Sequence, residues 1–301
     1  MKRKFQINAI SSTPNIIFNM IFSIFSIACI IPFILLVSVS ITEENSLFAN
    51  GYKFIPQAVT LKAYEFLFKD FDFVLRAYGV TILVVIIGVT LNVLINSLYA
   101  YPLSRKDFPF KKLFSNYILI TLLFSGGLAP TYYVYVRMLG IKNTLIAMIL
   151  PGLAGGFHIF IMRTFYQQNI PFEIIESAKI DGATESLIFF KLVLPLSKPI
   201  IATVALFSTV YYWNDFFHCM MYIDTEKLYN LQYSMQRALM TIQYLRNNIE
   251  AMNQGAFFEQ DIPSETVRMA MVVVGIGPII FAYPFFQKYF IKGLTVGSVK
   301  G

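Results

Sequence analysis

Long apolar runs dominate the chain, and short polar segments separate them. A membrane-spanning helix needs about 20 consecutive, mostly apolar residues. Residues in these runs do not alternate between apolar and polar, as they would in a membrane β-barrel. The pattern therefore predicts an all-α, polytopic membrane protein with six transmembrane helices. The predicted spans are Ile16–Ile41, Ala77–Pro102, Leu113–Val136, Thr144–Phe165, Pro199–Ile223 and Val267–Ile291.

The composition agrees with this class. The chain of 301 residues is 56% hydrophobic and only 14% charged, whereas soluble proteins carry about 25% charged residues. The low charge argues against a soluble globular enzyme, and the high apolar content excludes a disordered chain. The two cysteines, Cys29 and Cys219, lie in apolar runs and read as buried hydrophobes, which excludes a disulfide scaffold. His158 and His218 share no ligand spacing with them, so no metal site is expected.

The distribution of charge predicts the topology. The formal net charge is +7, which in a soluble chain would point to nucleic acid. Here 14 lysines and arginines fall in the segments 1–15, 103–112, 163–198 and 288–301, together with five acids. The outer segments hold ten bases and eleven acids. Positively charged loops of membrane proteins stay in the cytoplasm, so both termini are predicted to be cytoplasmic. The positive charge is thus explained by membrane orientation, and no nucleic-acid partner is expected.

The inner segment between the fourth and fifth spans predicts a helix–turn–helix. Pro171 suits the first turn of a helix, and Asp181-Gly182 is a turn in which glycine can take a positive φ. A second short helix is expected from Thr184 to Leu192. The segment is expected to lie along the membrane surface, with Lys179 and Glu185 among its surface charges.

This segment resembles the "EAA" signature of binding-protein-dependent ABC importer permeases. The signature reads E-A-A, three residues, G, nine residues, I-x-L-P. It appears here as Glu176-Ser177-Ala178, Gly182, Leu192 and Leu194-Pro195. Ser177 replaces the usual alanine, and Leu192 replaces the usual isoleucine.

Further segments resemble the carbohydrate branch of that family, and more narrowly the maltose-permease type that serves complex oligosaccharides. The resemblance covers nearly the whole chain. The segments are Phe124–Thr131, Ile170-Pro171, Leu194–Pro199, Trp213-Asn214-Asp215 and Lys292–Gly301.

The resemblance implies a permease subunit in a bacterial cytoplasmic membrane. Its expected partners are the lipid bilayer, a second homologous permease, two ATPase subunits, an extracellular solute-binding protein and an oligosaccharide substrate. The chain contains no G-x-x-x-x-G-K-[ST] loop, so no cofactor is expected in it, and ATP and Mg²⁺ would bind the partner ATPase. The implied domains are a cytoplasmic N-terminus (1–15), a first span with an extracellular segment (16–76), a permease core (77–291) with a coupling loop (169–198), and a cytoplasmic tail (292–301).

Two sets of site residues follow from the resemblance. The coupling helix would dock on the ATPase, with Glu176 as a hydrogen-bonding carboxylate and Gly182 as the sharp turn. Apolar contacts would come from Phe172, Ala178 and Ile180, next to Ser177.

A substrate path is expected near Asp215, because an acid within a span should face water or a partner. Trp213, Asn214, Tyr212 and Tyr132 could offer a sugar ring faces and polar groups. A structural role for Asp215, in which it holds a kink, remains equally open. Asn92 and His158 could also meet a sugar, although bonds between helices are their commoner use.

Two other functions are weighed. A permease for a non-sugar solute would carry the same docking signature. A membrane-embedded glycosyltransferase would need a cluster of acids or bases for an activated sugar, and the sequence shows none. No spacing assembles a nucleophile with a base, so a transport subunit rather than an enzyme is expected.

Overall fold

The computed structural model describes residues 12–247 and 265–297, and it is helical almost throughout. Within these residues the only strand pairing is an isolated bridge between Thr42 and Val59. Parts of the predicted segments lie outside the described residues, namely 1–11, 248–264 and 298–301. The helices are α1 (Ser12–Ser40), α2 (Glu44–Asn50), α3 (Lys62–Leu67), α4 (Phe71–Ser104), α5 (Lys111–Leu123), α6 (Leu128–Tyr133), α7 (Leu145–Ile149), α8 (Gly156–Asn169), α9 (Phe172–Ile180), α10 (Glu185–Ile188), α11 (Leu194–Leu196), α12 (Lys198–Trp213), α13 (Phe217–Tyr222), α14 (Leu231–Asn247) and α15 (Glu265–Gly297).

Three of the predicted spans are single long helices. In the first, the apolar stretch Pro14–Ser40 is long and hydrophobic enough to cross a membrane, and so is α4, which contains the second predicted span. The sixth predicted span lies within α15, a helix of 33 residues.

The other three predicted spans are bent. Lys111–Leu123 and Leu128–Met138 meet at 111°, and Leu145–Gly152 and Gly156–Asn169 meet at 50°. The glycines and prolines in these runs mark the breaks.

The fifth predicted span is not the single continuous helix that its hydrophobicity indicates. α12 ends at Trp213, and α13 begins only at Phe217. Asp215 explains the break, because its carboxylate accepts the backbone N–H of His218 (3.1 Å) and thereby caps the new helix.

The chain divides into two compact units. The first contains residues up to Lys69 and the segment Ile242–Val274. In this unit the Glu44 carboxylate accepts the backbone N–H groups of Glu265 (2.9 Å) and Thr266 (3.0 Å). Glu44 thus supplies a negative charge to the N-terminus of α15, where free N–H groups need acceptors.

The second unit contains Asp70–Thr241 and the chain from Gly275 onward, and it is built around α4. α4 packs against α8 and α12. Near the C-terminal end of α4, the buried Leu103 belongs to one apolar cluster with Met162 of α8 and Ile188 of α10. Near its N-terminal end, Val84 clusters with residues of α7 and α13.

The bend in the fourth predicted span is held by two asparagines of α4. Asn92 donates from its amide to the carbonyl oxygen of Gly152 (2.6 Å), and Asn96 donates to that of Leu153 (3.0 Å). Asn96 also accepts the N–H of Gly155 (3.0 Å). These bonds replace the helical partners that the break removes, which confirms that Asn92 bonds between helices.

Candidate functional site

The turn of the predicted coupling loop has the expected geometry. α9 begins directly after Pro171 and ends at Ile180. Gly182 has a φ of 80°, and the N–H of Ala183 closes the turn on the carbonyl oxygen of Ala178 (2.9 Å). A Cβ at Gly182 would meet nothing within 4 Å, so the backbone conformation, rather than lack of space, requires glycine in this chain.

The second helix of the loop is longer than predicted. It begins after Thr184, whose hydroxyl accepts the N–H of Leu187 (3.4 Å), and it continues through a π-helical turn at Phe189–Val193 to Leu196. Pro195 is accommodated in this helix, because it lies in the first turn of α11, where a missing N–H is tolerated.

The predicted coupling residues divide by exposure. Glu176, Ser177 and Gly182 are exposed, and Ile180 is 86% exposed. Among the described residues Glu176 has no ion-pair partner. Phe172 and Ala178 are half-buried against their own chain.

An ion-pair network, which the sequence did not indicate, joins α9 to the C-terminal end of α4. Arg105 binds Asp107 through two hydrogen bonds of 2.9 and 2.6 Å. Lys179 contacts both Asp107 (3.1 Å) and Glu185 (2.7 Å). Tyr101 donates its hydroxyl to Glu185 (2.6 Å). Lys179 and Glu185, expected to be solvated surface charges, are therefore paired. We call these five residues the loop network.

The network shifts the ionisation of its carboxylates. Hydrogen bonds from Arg105, followed by one from Lys179, hold the pKa of Asp107 well below its usual range. Burial raises the pKa of Glu185, but the hydrogen bonds from Lys179 and Tyr101 outweigh burial and lower it overall. Both groups are thus charged at neutral pH.

Most polar atoms of the predicted substrate path form hydrogen bonds within the chain, near the break after Trp213. Asp215 is 9% exposed and accepts from the backbone (3.1 Å) and the ring (2.9 Å) of His218 through one oxygen. Its second oxygen is buried and has no hydrogen-bond partner among the described residues. The Asn230 amide donates to the Asp215 carbonyl oxygen.

Tyr212 and Trp213 point into the second unit. The Tyr212 hydroxyl donates to the carbonyl oxygen of Ile149, and the Trp213 ring N–H donates to that of Gly275, both at 2.8 Å. Asn214 is exposed and donates to the carbonyl oxygen of Val210 (3.0 Å). Whether these residues meet a substrate stays a prediction.

Rings from α6, the π-helical turn Val134–Met138 that follows it, α12 and α13 form an aromatic cluster. Tyr222 stacks on Tyr132 at 5.8 Å and on His218 at 6.2 Å, both at 13° between planes. Tyr135 lies 5.5 Å from Tyr222, and the exposed Tyr211 lies 6.3 Å from His218. Sequence reasoning named Tyr132 of this cluster but missed Tyr222 and His218. The three-residue spacing from Asp215 to His218 was the available signal for His218.

Metal binding has no support in the part of the chain that the structure describes, where no group of three or more His, Cys, Asp or Glu residues is placed to hold an ion.

Comparison with known proteins identifies relatives over most of the chain. Residues 113–296 match the family described as "Binding-protein-dependent transport system inner membrane component". The chain is similar to Protein LplC of Bacillus subtilis, with 37% identity over 90% of each chain. It is 35% identical to the polygalacturonan/rhamnogalacturonan transport system permease protein YtcP of the same organism, over 92% of this chain and 94% of that protein.

The fold also has a solved counterpart. It is similar to a chain from the crystal structure of a bacterial ABC transporter involved in the import of the acidic polysaccharide alginate. The TM-score is 0.77 at 26% identity, and the match covers 94% of this chain and 99% of the other.

Proposed function

The chain belongs to the family of binding-protein-dependent transport system inner membrane components, and from that membership we propose that it is the permease subunit of an ATP-driven importer of oligosaccharides or polysaccharide fragments. It is a multi-pass protein of the bacterial cytoplasmic membrane. The relative whose name includes polygalacturonan and rhamnogalacturonan, and the structural counterpart from a transporter involved in alginate import, support a carbohydrate substrate.

The observation that supports a coupling role is the solvent-exposed face of α9. Glu176 and Ile180 are exposed there, and Glu176 has no ion-pair partner among the described residues. A nearly fully exposed isoleucine beside an unpaired carboxylate fits an apolar groove with a basic or backbone donor. We assign this surface to a partner ATPase, which binds ATP and Mg²⁺ and hydrolyses the nucleotide.

The coupling helix needs a fixed shape to transmit movement. The left-handed turn at Gly182 sets the angle between α9 and α10, and the half-buried Phe172 and Ala178 hold α9 on its own chain. Closure of two ATPase subunits would then move the loop as one piece, and the spans would alternate between inward-facing and outward-facing forms.

The remaining subunits follow from the same role. A second, homologous permease would complete the translocation path, and an extracellular solute-binding protein would deliver the sugar. Both termini of this chain would lie in the cytoplasm, as the excess of lysine and arginine in the segments on that side predicts.

For the substrate path we propose the aromatic cluster together with Asn214, the residue that directly follows α12. Aromatic rings offer flat apolar faces to a sugar, and the exposed Tyr211 and Asn214 add polar groups. Tyr212, Trp213 and Asp215 would hold the wall behind them, because their polar atoms bond within the chain.

The test is purification of the tagged chain from its native cell in mild detergent, followed by mass spectrometry of the copurifying proteins. We expect an ATPase, a second permease and a solute-binding protein. The purified complex should hydrolyse ATP faster when the solute-binding protein is added. Reproducible recovery of the folded chain alone, without ATPase activity, would overturn the proposal and favour a free-standing carrier.

A further inference from the structure

We propose that Lys179 and Asp107 are positioning residues that fasten the coupling helix to the cytoplasmic end of α4, so that movement of α9 reaches the second span directly. The inference rests on the proposed function and adds a second route for force. The first route runs along the chain, from α9 through α10 into α12.

The segment after α4 holds α9 near both of its ends. Close to the start of α9, the guanidinium of Arg105 lies over the ring of Phe172, 5.4 Å from its centroid. Close to the end of α9, Lys179 binds Asp107 at 3.1 Å. Lys179 lies seven positions after Phe172, which is about 10 Å along a helix. Two attachments this far apart resist rotation of α9 relative to α4, which one contact would not.

The charges alternate through the network, so each member needs its neighbours. The Arg105 side chain is only 6% exposed, and Asp107 neutralises it. Lys179 lies between Asp107 and Glu185, and Tyr101 of α4 holds Glu185 from the other side at 2.6 Å. α9, α10 and the end of α4 are therefore joined in one closed set of contacts.

α4 is well placed to pass movement on. It packs along both α8 and α12. Asn92 of α4 accepts the Ser208 hydroxyl of α12 at 2.7 Å. α12 leads into Tyr211 and the break at Asp215, so a displacement of α4 moves the wall of the proposed substrate path.

The test is Lys179→Met, which removes both ion pairs of Lys179, to Asp107 and to Glu185, and leaves the Arg105–Asp107 and Tyr101–Glu185 bonds in place. The matched control is Lys191→Met, which removes an exposed lysine of the same loop. The complete importer, copurified with its ATPase and second permease, is assayed for ATP hydrolysis with and without its copurified solute-binding protein.

We expect Lys179→Met to keep the basal rate of ATP hydrolysis. Its stimulation by the solute-binding protein should be about fivefold smaller than that of the wild type. Lys179→Arg should retain the stimulation, and Lys191→Met should match the wild type. Undiminished stimulation in Lys179→Met would overturn the inference. So would an equal loss of subunit recovery and basal rate, since that marks a role in folding alone.

The two proposals fail in different ways. If the wild-type complex contains no ATPase or does not respond to the solute-binding protein, the proposed function is wrong, and this inference falls with it. If the wild type responds and Lys179→Met responds equally, only the second route for force is wrong.

Discussion

Asn92 of α4 and Gly152, at the bend of the fourth predicted span, are joined by a hydrogen bond of 2.6 Å from amide to carbonyl oxygen. The same side chain also donates to Leu153 (3.2 Å) and accepts from Ser208 (2.7 Å). One buried asparagine thus ties together three helical segments. In a membrane the carbonyl groups at a bend cannot turn to water, so they need such a partner.

Replacing Asn92 by leucine should therefore destabilise the permease. The leucine keeps the number and branching of the side-chain heavy atoms but leaves two carbonyl groups without this donor, at a cost of about 1–2 kcal/mol. We expect a lower thermal unfolding temperature of the purified complex in detergent. Thr90→Val is the control, because the Thr90 hydroxyl donates within its own helix, to the carbonyl oxygen of Ile86. Equal stability of the two variants would show that the bend is held by packing.

Gly88 is required for the close approach of α4 to α12. A Cβ on Gly88 would lie 2.7 Å from the ring of Tyr212, and that ring is fixed by its bond to Ile149. Gly88→Ala should cost about 1–3 kcal/mol of stability through overpacking. Gly79→Ala, in the same helix with nothing within 4 Å of the new Cβ, should be neutral or stabilising. Thermal unfolding of the two variants side by side checks the difference.

The turn at Gly182 allows docking to be separated from folding. Valine is poorly compatible with the φ of 80°, whereas asparagine tolerates the left-handed region. We expect Gly182→Val to copurify with less ATPase while the spans stay folded, and Gly182→Asn to retain most of it. The ATPase recovered per permease, measured by quantitative mass spectrometry, reports the outcome. Full recovery with valine would exclude a role for the turn geometry.

The structure shows how far local pattern reaches. The apolar runs and the turn at Gly182 follow from residues close in sequence, and the sequence predicted both. The bend partners of Asn92 lie 60 residues away, and Asp107 meets Lys179 from 72 residues away. Such pairings depend on how helices pack, which hydropathy does not encode. Hydropathy does not show the break at Asp215, because the apolar run continues across it; the sequence pointed to it only through the alternative role left open for Asp215, in which the acid holds a kink.

Two substitutions at Asp215 distinguish a role in the substrate path from a structural role at the break after Trp213. Asp215→Asn keeps an oxygen that accepts the His218 N–H, so we expect the complex to assemble. Removal of the charge should alter ATP hydrolysis stimulated by the solute-binding protein. Asp215→Leu removes the cap as well and should lower the recovery of the complex. If Asp215→Asn already dissociates the complex, then Asp215 serves the structure of the break and not the substrate path.

The loop network should make coupling insensitive to pH over the neutral range. Hydrogen bonds, mainly from Arg105, lower the pKa of Asp107. The stability that the Asp107 carboxylate gives to the folded loop is therefore complete above its unfolded pKa of about 3.9, and it is lost only as the pH falls through the lower folded pKa. Hydrogen bonds from Lys179 to Glu185 and Asp107 raise the pKa of Lys179. The stability that this lysine gives to the folded loop is therefore complete below its unfolded pKa of about 10.4, and it is lost as the pH rises through the higher folded pKa.

We therefore expect the stimulation of ATP hydrolysis by the solute-binding protein to stay constant from about pH 6 to about pH 8. Asp107→Asn should lower this stimulation equally at every pH in that window, because the amide cannot replace the carboxylate between Arg105 and Lys179. The stimulation of both proteins is measured across the window, relative to the basal rate at each pH. The contradicting result would be a wild-type profile in which the stimulation changes with a midpoint near about pH 6.5, while Asp107→Asn shows no such change. A group that depends on Asp107 would then titrate in the neutral range, where neither Asp107 nor Lys179 does.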